Sequence, residues 1–173
     1  VLRHIADGDC YQVNYTFPLR GTLSGSPREL YRRLVAEQPA GHAALVDLGG
    51  PVTVSASPEL FFAIESGRVV TRPMKGTRPR GATPDEDTAI ADELRASAKD
   101  AAENLMIVDL LRNDLGRLCR PGSVTVTRLF DVESYRSVWQ LTSTIEGDLA
   151  EPTGLDEAFR ALFPCGSVTG APK

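Results

Sequence analysis

The chain has 173 residues and a formal net charge of −4 at pH 7, with 42% hydrophobic and 24% charged residues. These values are typical of a soluble globular protein and give no support for nucleic-acid binding. The sequence contains neither a run of roughly 18 apolar residues nor a charged-then-apolar amino terminus, so we expect no membrane span and no secretory signal. Three widely spaced cysteines without a CxxC pair (Cys10, Cys119 and Cys165) favour reduced thiols in a cytoplasmic setting over a disulfide or zinc framework.

The first predicted strand is 11–17, which alternates and is rich in aromatic and β-branched residues. Gln12 and Asn14 share one face of it. Two amides on one strand face usually point to solvent and less often line a cavity. The sequence leaves both arrangements open.

A capping box at Ser26, with proline at the next position, predicts a helix that ends near residue 37. Four short runs separated by turn signals then predict an antiparallel meander: 43–48, 52–56, 60–64 and 68–72. Glu59 lies at a bend between two of these strands, where a lone glutamate is more often exposed than catalytic.

The stretch 71–81 carries four cations and no acid, in a chain that is acidic overall. Its prolines and glycines are incompatible with a regular helix, so we predict the end of a strand followed by a shaped loop. One interpretation is a solvated basic hairpin. The other is a pocket for a small polyanion, with Lys75 as a nucleophile or an electrostatic anchor.

Two helices are predicted next, one from Thr83 to near residue 97 and a stronger one over 98–113. On the second helix Asp100 and Glu103 interrupt a face that is apolar further along. Two carboxylates one turn apart suit a Mg²⁺ ion if other oxygen ligands join them. Alternatively, both simply favour the positive end of the helix dipole.

The last predicted elements are strands at 123–130 and 138–146, a helix at 155–163 and a closing loop at 164–173. This loop is rich in Gly, Ser and Thr, so its backbone N–H groups could bind an anion. A plain connector is the alternative.

Six stretches, in this order, resemble the chorismate-utilising enzymes, and within them the aminodeoxychorismate synthase component I branch. They lie at 8–14, 57–59, 73–78, 100–104, 108–116 and 166–173. The resemblance implies an α+β fold with layered antiparallel β-sheets flanked by helices. It also implies that residues 1–173 are part of a longer catalytic domain, without its amino-terminal part and carboxy-terminal segment.

The resemblance implies a role for Lys75 as the amine that attacks the substrate ring and forms a covalent intermediate. Anthranilate synthase relatives typically carry alanine there. The neighbouring Arg72, Arg78 and Arg80 are expected to keep this amine reactive by charge repulsion. Gln12 matches the position of the water-activating lysine in isochorismate and salicylate synthases, and glutamine cannot act as that base.

Further roles follow from the same resemblance. Glu59 matches an acidic residue near the departing hydroxyl, and Gln140 stands where the family often has a histidine. Asp100 and Glu103 match the first half of a Mg²⁺ site. The remaining matches are to substrate-binding positions: Thr77, Gly166, Ser167, Val168, Thr169, Gly170 and Lys173.

The implied reaction is the Mg²⁺-dependent amination of chorismate to 4-amino-4-deoxychorismate, in para-aminobenzoate and folate biosynthesis. Ammonia would come from a glutamine amidotransferase subunit or domain. The alternatives are anthranilate synthase component I, and a non-catalytic fragment that docks with an amidotransferase. We expect the isolated chain to be inactive, because the second pair of metal ligands falls outside it.

Overall fold

The computed structural model describes residues 1–39 and 41–173. Their elements, in chain order, are α1 (Leu2–Ala6), β1 (Gln12–Val13), α2 (Pro27–Glu37), β2 (His42–Val46), β3 (Thr53–Ser57), β4 (Leu60–Glu65), β5 (Arg68–Arg72), β6 (Met74–Pro79), α3 (Pro84–Ala96), α4 (Ala98–Leu115), β7 (Thr125–Ser134), β8 (Val138–Asp148), α5 (Leu155–Leu162), α6 (Gly166–Thr169) and β9 (Gly170–Ala171). They form two compact units, Thr16–Leu60 and the combination of Val1–Tyr15 with Phe61–Lys173.

The smaller unit contains α2 and an antiparallel hairpin of β2 and β3. The predicted capping box is confirmed, because the backbone N–H of Glu29 donates to Ser26 Oγ at 3.1 Å. Pro27 occupies the first turn, where a missing N–H costs nothing. The helix ends at Glu37, as its sequence pattern predicts.

The larger unit is built on a five-stranded antiparallel sheet with β8 at its centre. Strands β5 and β6 pair with successive parts of β8, and β7 pairs along its other edge. The prediction of a shaped loop within 71–81 was wrong at its centre, because Met74–Pro79 forms β6. The irregularity is a bulge at Lys75 and Gly76, where Gly76 has φ +92°. Glycine tolerates this conformation without a Cβ clash.

Helix α4 lies against this sheet. Its apolar residues Ile107, Val108, Leu111 and Leu115 belong to the buried core together with residues of the sheet and of α5. The one fully buried amide of this helix among the described residues, Asn104, donates to the Leu141 carbonyl at 3.3 Å and accepts from Ser143 Oγ at 2.6 Å. These two hydrogen bonds fix the position of α4 relative to β8.

The chain closes on α6 and β9, where the sequence predicts only a loop. β9 pairs with β1 in a two-residue antiparallel ladder, with Gln12 opposite Ala171 and Val13 opposite Gly170. The predicted strand 11–17 is therefore much shorter than expected, because its pairing strand is only two residues long. The predicted α+β class is confirmed, with antiparallel sheets and flanking helices. Among the described helices none is long and apolar enough to cross a membrane.

Candidate functional site

The amine of Lys75 lies at the closing turn of the chain. Its Nζ donates to the backbone carbonyl of Ser167 at 2.9 Å, and the lysine is half-buried. The bulge in β6 turns this side chain out of the regular strand alternation. The next residue, Gly76, lies so close to α4 that a Cβ on it would be 3.0 Å from Asp100 Cβ. The bulge therefore contains the predicted nucleophile Lys75 and contacts the predicted metal ligand Asp100 through Gly76.

The turn that meets Lys75 is held by Asn14, the residue that follows β1. Asn14 Nδ2 donates to the same Ser167 carbonyl at 2.8 Å, and the Asn14 backbone N–H donates to the Thr169 carbonyl at 3.0 Å. Gln12 and Asn14 are both half-buried, so neither amide points freely to solvent.

Near this turn, two buried polar atoms lack hydrogen-bond partners within the part of the chain that the structure describes. They are Gln12 Oε1 and Ser167 Oγ. A buried polar atom without a partner costs about 1–3 kcal/mol, so such atoms are expected to meet a ligand or water. This is a physical sign of a binding site beside the Lys75 amine.

Both glycines of the turn allow close approach of neighbouring segments, and Gly170 is required by a backbone contact. A Cβ on Gly170 would lie 2.2 Å from the backbone oxygen of Gln12, and Gly170 has φ +141°. A Cβ on Gly166 would lie 2.8 Å from Leu110 on α4. The glycines thus allow β1 and α4 to approach the turn from two sides.

The predicted role of the turn's amides is restricted by bonds within the turn. The N–H groups of Val168 and Thr169 donate to the Cys165 carbonyl at 3.0 and 3.1 Å, and that of Gly170 donates to the Gly166 carbonyl. A substrate carboxylate would therefore have to meet the amides of Gly166 and Ser167.

The amine of Lys173 contacts groups of two helices of the same chain. Its Nζ lies 2.8 Å from the carboxylate of Asp114, which is 3% exposed, and donates to the carbonyls of Ala161 and Leu162 at 3.4 and 2.8 Å. The amine thus makes one ion pair and two hydrogen bonds to groups of the same chain. These contacts tie the end of α5 to α4, and the substrate-binding role of Lys173 stays a prediction.

The basic stretch is neutralised by carboxylates from distant parts of the sequence. Arg72 pairs with Glu133, Arg78 pairs with Glu93 and Asp100, and Arg80 pairs with Asp87. The solvated basic hairpin is therefore not found. The expected repulsion between these guanidinium groups and the Lys75 amine also loses its basis, since each arginine faces an acid.

Asp100 is 7% exposed and belongs to this network. Burial acts to raise the pKa of its carboxyl group, but hydrogen bonds from Ser97 Oγ and from Arg78, at 2.9 Å for the latter, outweigh burial and lower the pKa. The carboxylate is therefore ionised at neutral pH. Glu103, one turn along the helix, is half-exposed and lies 3.6 Å from the amine of Lys99.

These two carboxylates fit part of a Mg²⁺ site. Both are hard oxygen ligands on one helix, and the low pKa of Asp100 keeps it charged. Within residues 1–39 and 41–173, however, no group of three or more metal-ligating side chains is found. The chain thus offers two ligands, and the other oxygens would come from a substrate, from water or from outside the described residues.

Thr77 and Gln140 are brought together as a cross-strand pair of β6 and β8. Thr77 Oγ1 donates to Gln140 Oε1 at 3.0 Å. This bond leaves the amide group of Gln140 as a donor toward a substrate oxygen. Glutamine at this position can orient a hydroxyl group but cannot protonate it.

Glu59 lies in the smaller unit, Thr16–Leu60. Its backbone N–H donates to Ser57 Oγ at 3.2 Å, which shapes the bend between β3 and β4. The residue is half-buried, so the sequence-based expectation of an exposed turn glutamate is not met. Its proposed role near the departing hydroxyl stays a prediction.

Sequence reasoning missed two parts of this arrangement. Asn14 was recognised as part of a matching stretch but not as a contact of the turn. The acids that neutralise the arginines also could not be assigned, because pairs such as Arg72 and Glu133 are 61 positions apart. The alternation of the predicted strand 11–17 was the available signal for Asn14, since it places Asn14 on the face of Gln12.

Comparison with known proteins identifies the relatives of this chain. The family model described as chorismate binding enzyme matches residues 1–173. An aminodeoxychorismate synthase of Streptomyces pristinaespiralis is 49% identical over 172 residues, which cover 99% of this chain and 24% of that protein. An anthranilate synthase component 1 of Streptomyces coelicolor is 46% identical over 171 residues, covering 98% and 34%.

A solved structure with the same fold is anthranilate synthase component I from Streptococcus pneumoniae. It aligns with a TM-score of 0.76 and 36% identity, over 87% of this chain and 33% of that one. The chain spans about a quarter to a third of the length of these relatives. Because the family model covers the whole sequence, the chain belongs to the chorismate binding enzyme family.

Proposed function

We propose that this chain carries the nucleophile and half of the metal site of an aminodeoxychorismate synthase, which aminates chorismate with ammonia to 4-amino-4-deoxychorismate. The observation that carries the proposal is the Lys75 amine, held 2.9 Å from the Ser167 carbonyl beside two buried polar atoms that lack partners among the described residues. The 49% identical Streptomyces relative supports the same activity.

The proposed chemistry uses the lone pair of Lys75. The neutral amine can donate one hydrogen to the Ser167 carbonyl and still direct its lone pair at a ring carbon. As the new carbon–nitrogen bond forms, the ring loses its C4 hydroxyl group, which takes up a proton and leaves as water. Ammonia then bonds to the ring, the bond to Lys75 breaks, and the lysine is restored.

The residues around Lys75 have binding and orienting roles in this proposal. Thr77 and Gln140 would contact the departing hydroxyl group through the Gln140 amide. The unpaired Gln12 Oε1 and Ser167 Oγ would meet polar groups of the substrate. The resemblance to the family assigns proton donation to Glu59, which belongs to the smaller unit.

Asp100 and Glu103 would hold Mg²⁺, which when bound would neutralise the ring carboxylate and favour departure of the hydroxyl group. Arg78 keeps Asp100 in place by its hydrogen bond at 2.9 Å. The ammonia source would be a glutamine amidotransferase subunit or domain. The designation "component 1" in the names of relatives such as that of Escherichia coli supports a second component.

The test compares Lys75→Ala with Lys75→Arg in the intact enzyme, with ammonium chloride as nitrogen source. We expect both variants to stay folded and to lose formation of 4-amino-4-deoxychorismate. Arginine keeps the charge and reach of lysine but is not deprotonated in proteins, so it cannot attack. An active arginine variant would make Lys75 an electrostatic anchor, and an active alanine variant would remove it from the mechanism.

Anthranilate synthase is the second candidate, because a relative with that name is 46% identical. It would act on the same substrate and eliminate pyruvate. Mass analysis of the product separates the two activities, since anthranilate lacks the enolpyruvyl group. Lys75 favours the first activity, because the second requires no covalent lysine.

A further inference from the structure

We propose that Asn14 is a positioning residue for Lys75: its amide fixes the carbonyl against which the lysine amine is held. The inference rests on the proposed function of Lys75. Asn14 and Lys75 are 61 positions apart in sequence, and they meet through one oxygen atom, the Ser167 carbonyl oxygen, at 2.8 and 2.9 Å.

Asn14 contacts the one-turn helix α6 at two points. Its backbone N–H binds the Thr169 carbonyl at 3.0 Å, and its side-chain amide binds the Ser167 carbonyl. A helix of four residues has too few internal bonds to hold its own carbonyls in place. Inside α6 the Ser167 carbonyl is restrained only through its peptide plane, because the Val168 N–H donates to the Cys165 carbonyl at 3.0 Å. The Asn14 amide adds a restraint from outside, directly on the carbonyl oxygen.

The Ser167 carbonyl has two lone pairs, and these two donors use both. With Asn14 in place, the Lys75 amine has one remaining site on that oxygen. Without the Asn14 amide, both acceptor sites of this oxygen would be open to the Lys75 amine, which could then move between them. A displacement of about 1 Å of a reacting group can lower a rate by about 10²-fold.

The side-chain bond and the backbone bond of Asn14 can be separated by substitution. Asn14→Asp keeps the size and the backbone N–H but replaces the donor by an acceptor. The new carboxylate would repel the Ser167 carbonyl and attract the Lys75 amine into an ion pair. Asn14→Gln keeps the amide donor on a longer stem.

The first readout is steady-state kinetics of the intact enzyme with chorismate and ammonium. We expect Asn14→Asp to lower kcat about tenfold to a hundredfold with little change in KM, because the nucleophile moves while the substrate contacts stay. Asn14→Gln should retain more activity than Asn14→Asp. The matched control is Asn113→Asp, an exposed position near the end of α4, which should leave kcat unchanged.

The second readout does not depend on activity. Acylation of Lys75 by acetic anhydride can be followed by peptide mass against the exposed Lys99. We expect slower labelling of Lys75 in Asn14→Asp only. If Lys75 is labelled more slowly in Asn14→Asp but the Lys75→Ala variant is fully active, Asn14 positions Lys75 and the proposed function of Lys75 is refuted. Unchanged labelling and kcat in Asn14→Asp, or equal losses in the Asp and Gln variants, would overturn the inference.

Discussion

Gly170→Ala is expected to detach β1 from the closing turn. A Cβ at this position would lie 2.2 Å from the backbone oxygen of Gln12, whereas ordinary contacts begin near 3.4 Å. Relieving the clash requires about 1.2 Å of separation, the difference between these distances. Such a movement would break the bonds from Tyr11 N–H to Ala171 and from Asn14 N–H to Thr169, now 2.8 and 3.0 Å.

The magnitude follows from these contacts. Alanine at φ +141° costs about 1–3 kcal/mol in backbone strain, and each lost hydrogen bond costs about 0.5–1.5 kcal/mol. If the pairing of β1 with β9 is kept, the backbone strain at residue 170 remains. If the pairing is released, the hydrogen bonds of Tyr11 and Asn14 are lost. We therefore expect the chain to take the cheaper course of local detachment, with global stability lowered by about 1–3 kcal/mol.

The assay is amide hydrogen exchange at Tyr11 and Asn14. Both should lose protection in Gly170→Ala, while the amides of α4 keep theirs. The matched control is Gly166→Ala, whose Cβ would meet only the movable end of the Leu110 side chain, at 2.8 Å. It should cost about 1 kcal/mol and preserve the protection of the Tyr11 and Asn14 amides. Full protection of Tyr11 and Asn14 in Gly170→Ala would refute this reasoning.

Two further predictions concern the acids. The Arg80 guanidinium, together with the Gly81 N–H and the Trp139 ring N–H, holds the pKa of Asp87 well below its usual value of about 3.9. The Asp87 carboxylate therefore stabilises the fold above about pH 4, and this stabilisation is lost as the pH falls toward the lowered pKa. Thermal unfolding should therefore show a lower Tm for Asp87→Asn at pH 7, with the gap to the parent narrowing below about pH 4; an equal gap at pH 3 and pH 7 would contradict it. Glu103→Gln should weaken Mg²⁺ binding in calorimetric titration of the intact enzyme, whereas Asp109→Asn, an exposed acid of the same helix, should not. Equal Mg²⁺ affinity in both variants would exclude Glu103 as a ligand.

The local parts of the fold were predictable because their signals lie within a few residues. The capping box at Ser26 and the cap at Thr83 both form, with proline at the next position in each case. The stretch 71–81 was not predictable in the same way. Its glycines and prolines indicate a loop, but pairing with β8, some 60 positions away, makes it a bulged strand.

The candidate site was also predictable only where its signals are local in the sequence. The type and order of the motif residues were enough to identify Lys75, Asp100 and Thr77 as candidates. The Lys75 contact with Ser167 joins residues 92 positions apart, so only the folded chain reveals it. The acids opposite the arginines reverse the sequence-based electrostatic argument for the same reason.

The central claim is that Lys75 forms a bond to the substrate ring. The most direct measurement is peptide mass analysis of the intact enzyme, quenched after incubation with chorismate and Mg²⁺ without ammonia. The account predicts a chorismate-derived mass on the peptide that contains Lys75, absent from Lys75→Arg and lost when ammonium is added. Turnover with ammonium in the Lys75→Ala variant, together with an unmodified Lys75 in the parent enzyme, would contradict it.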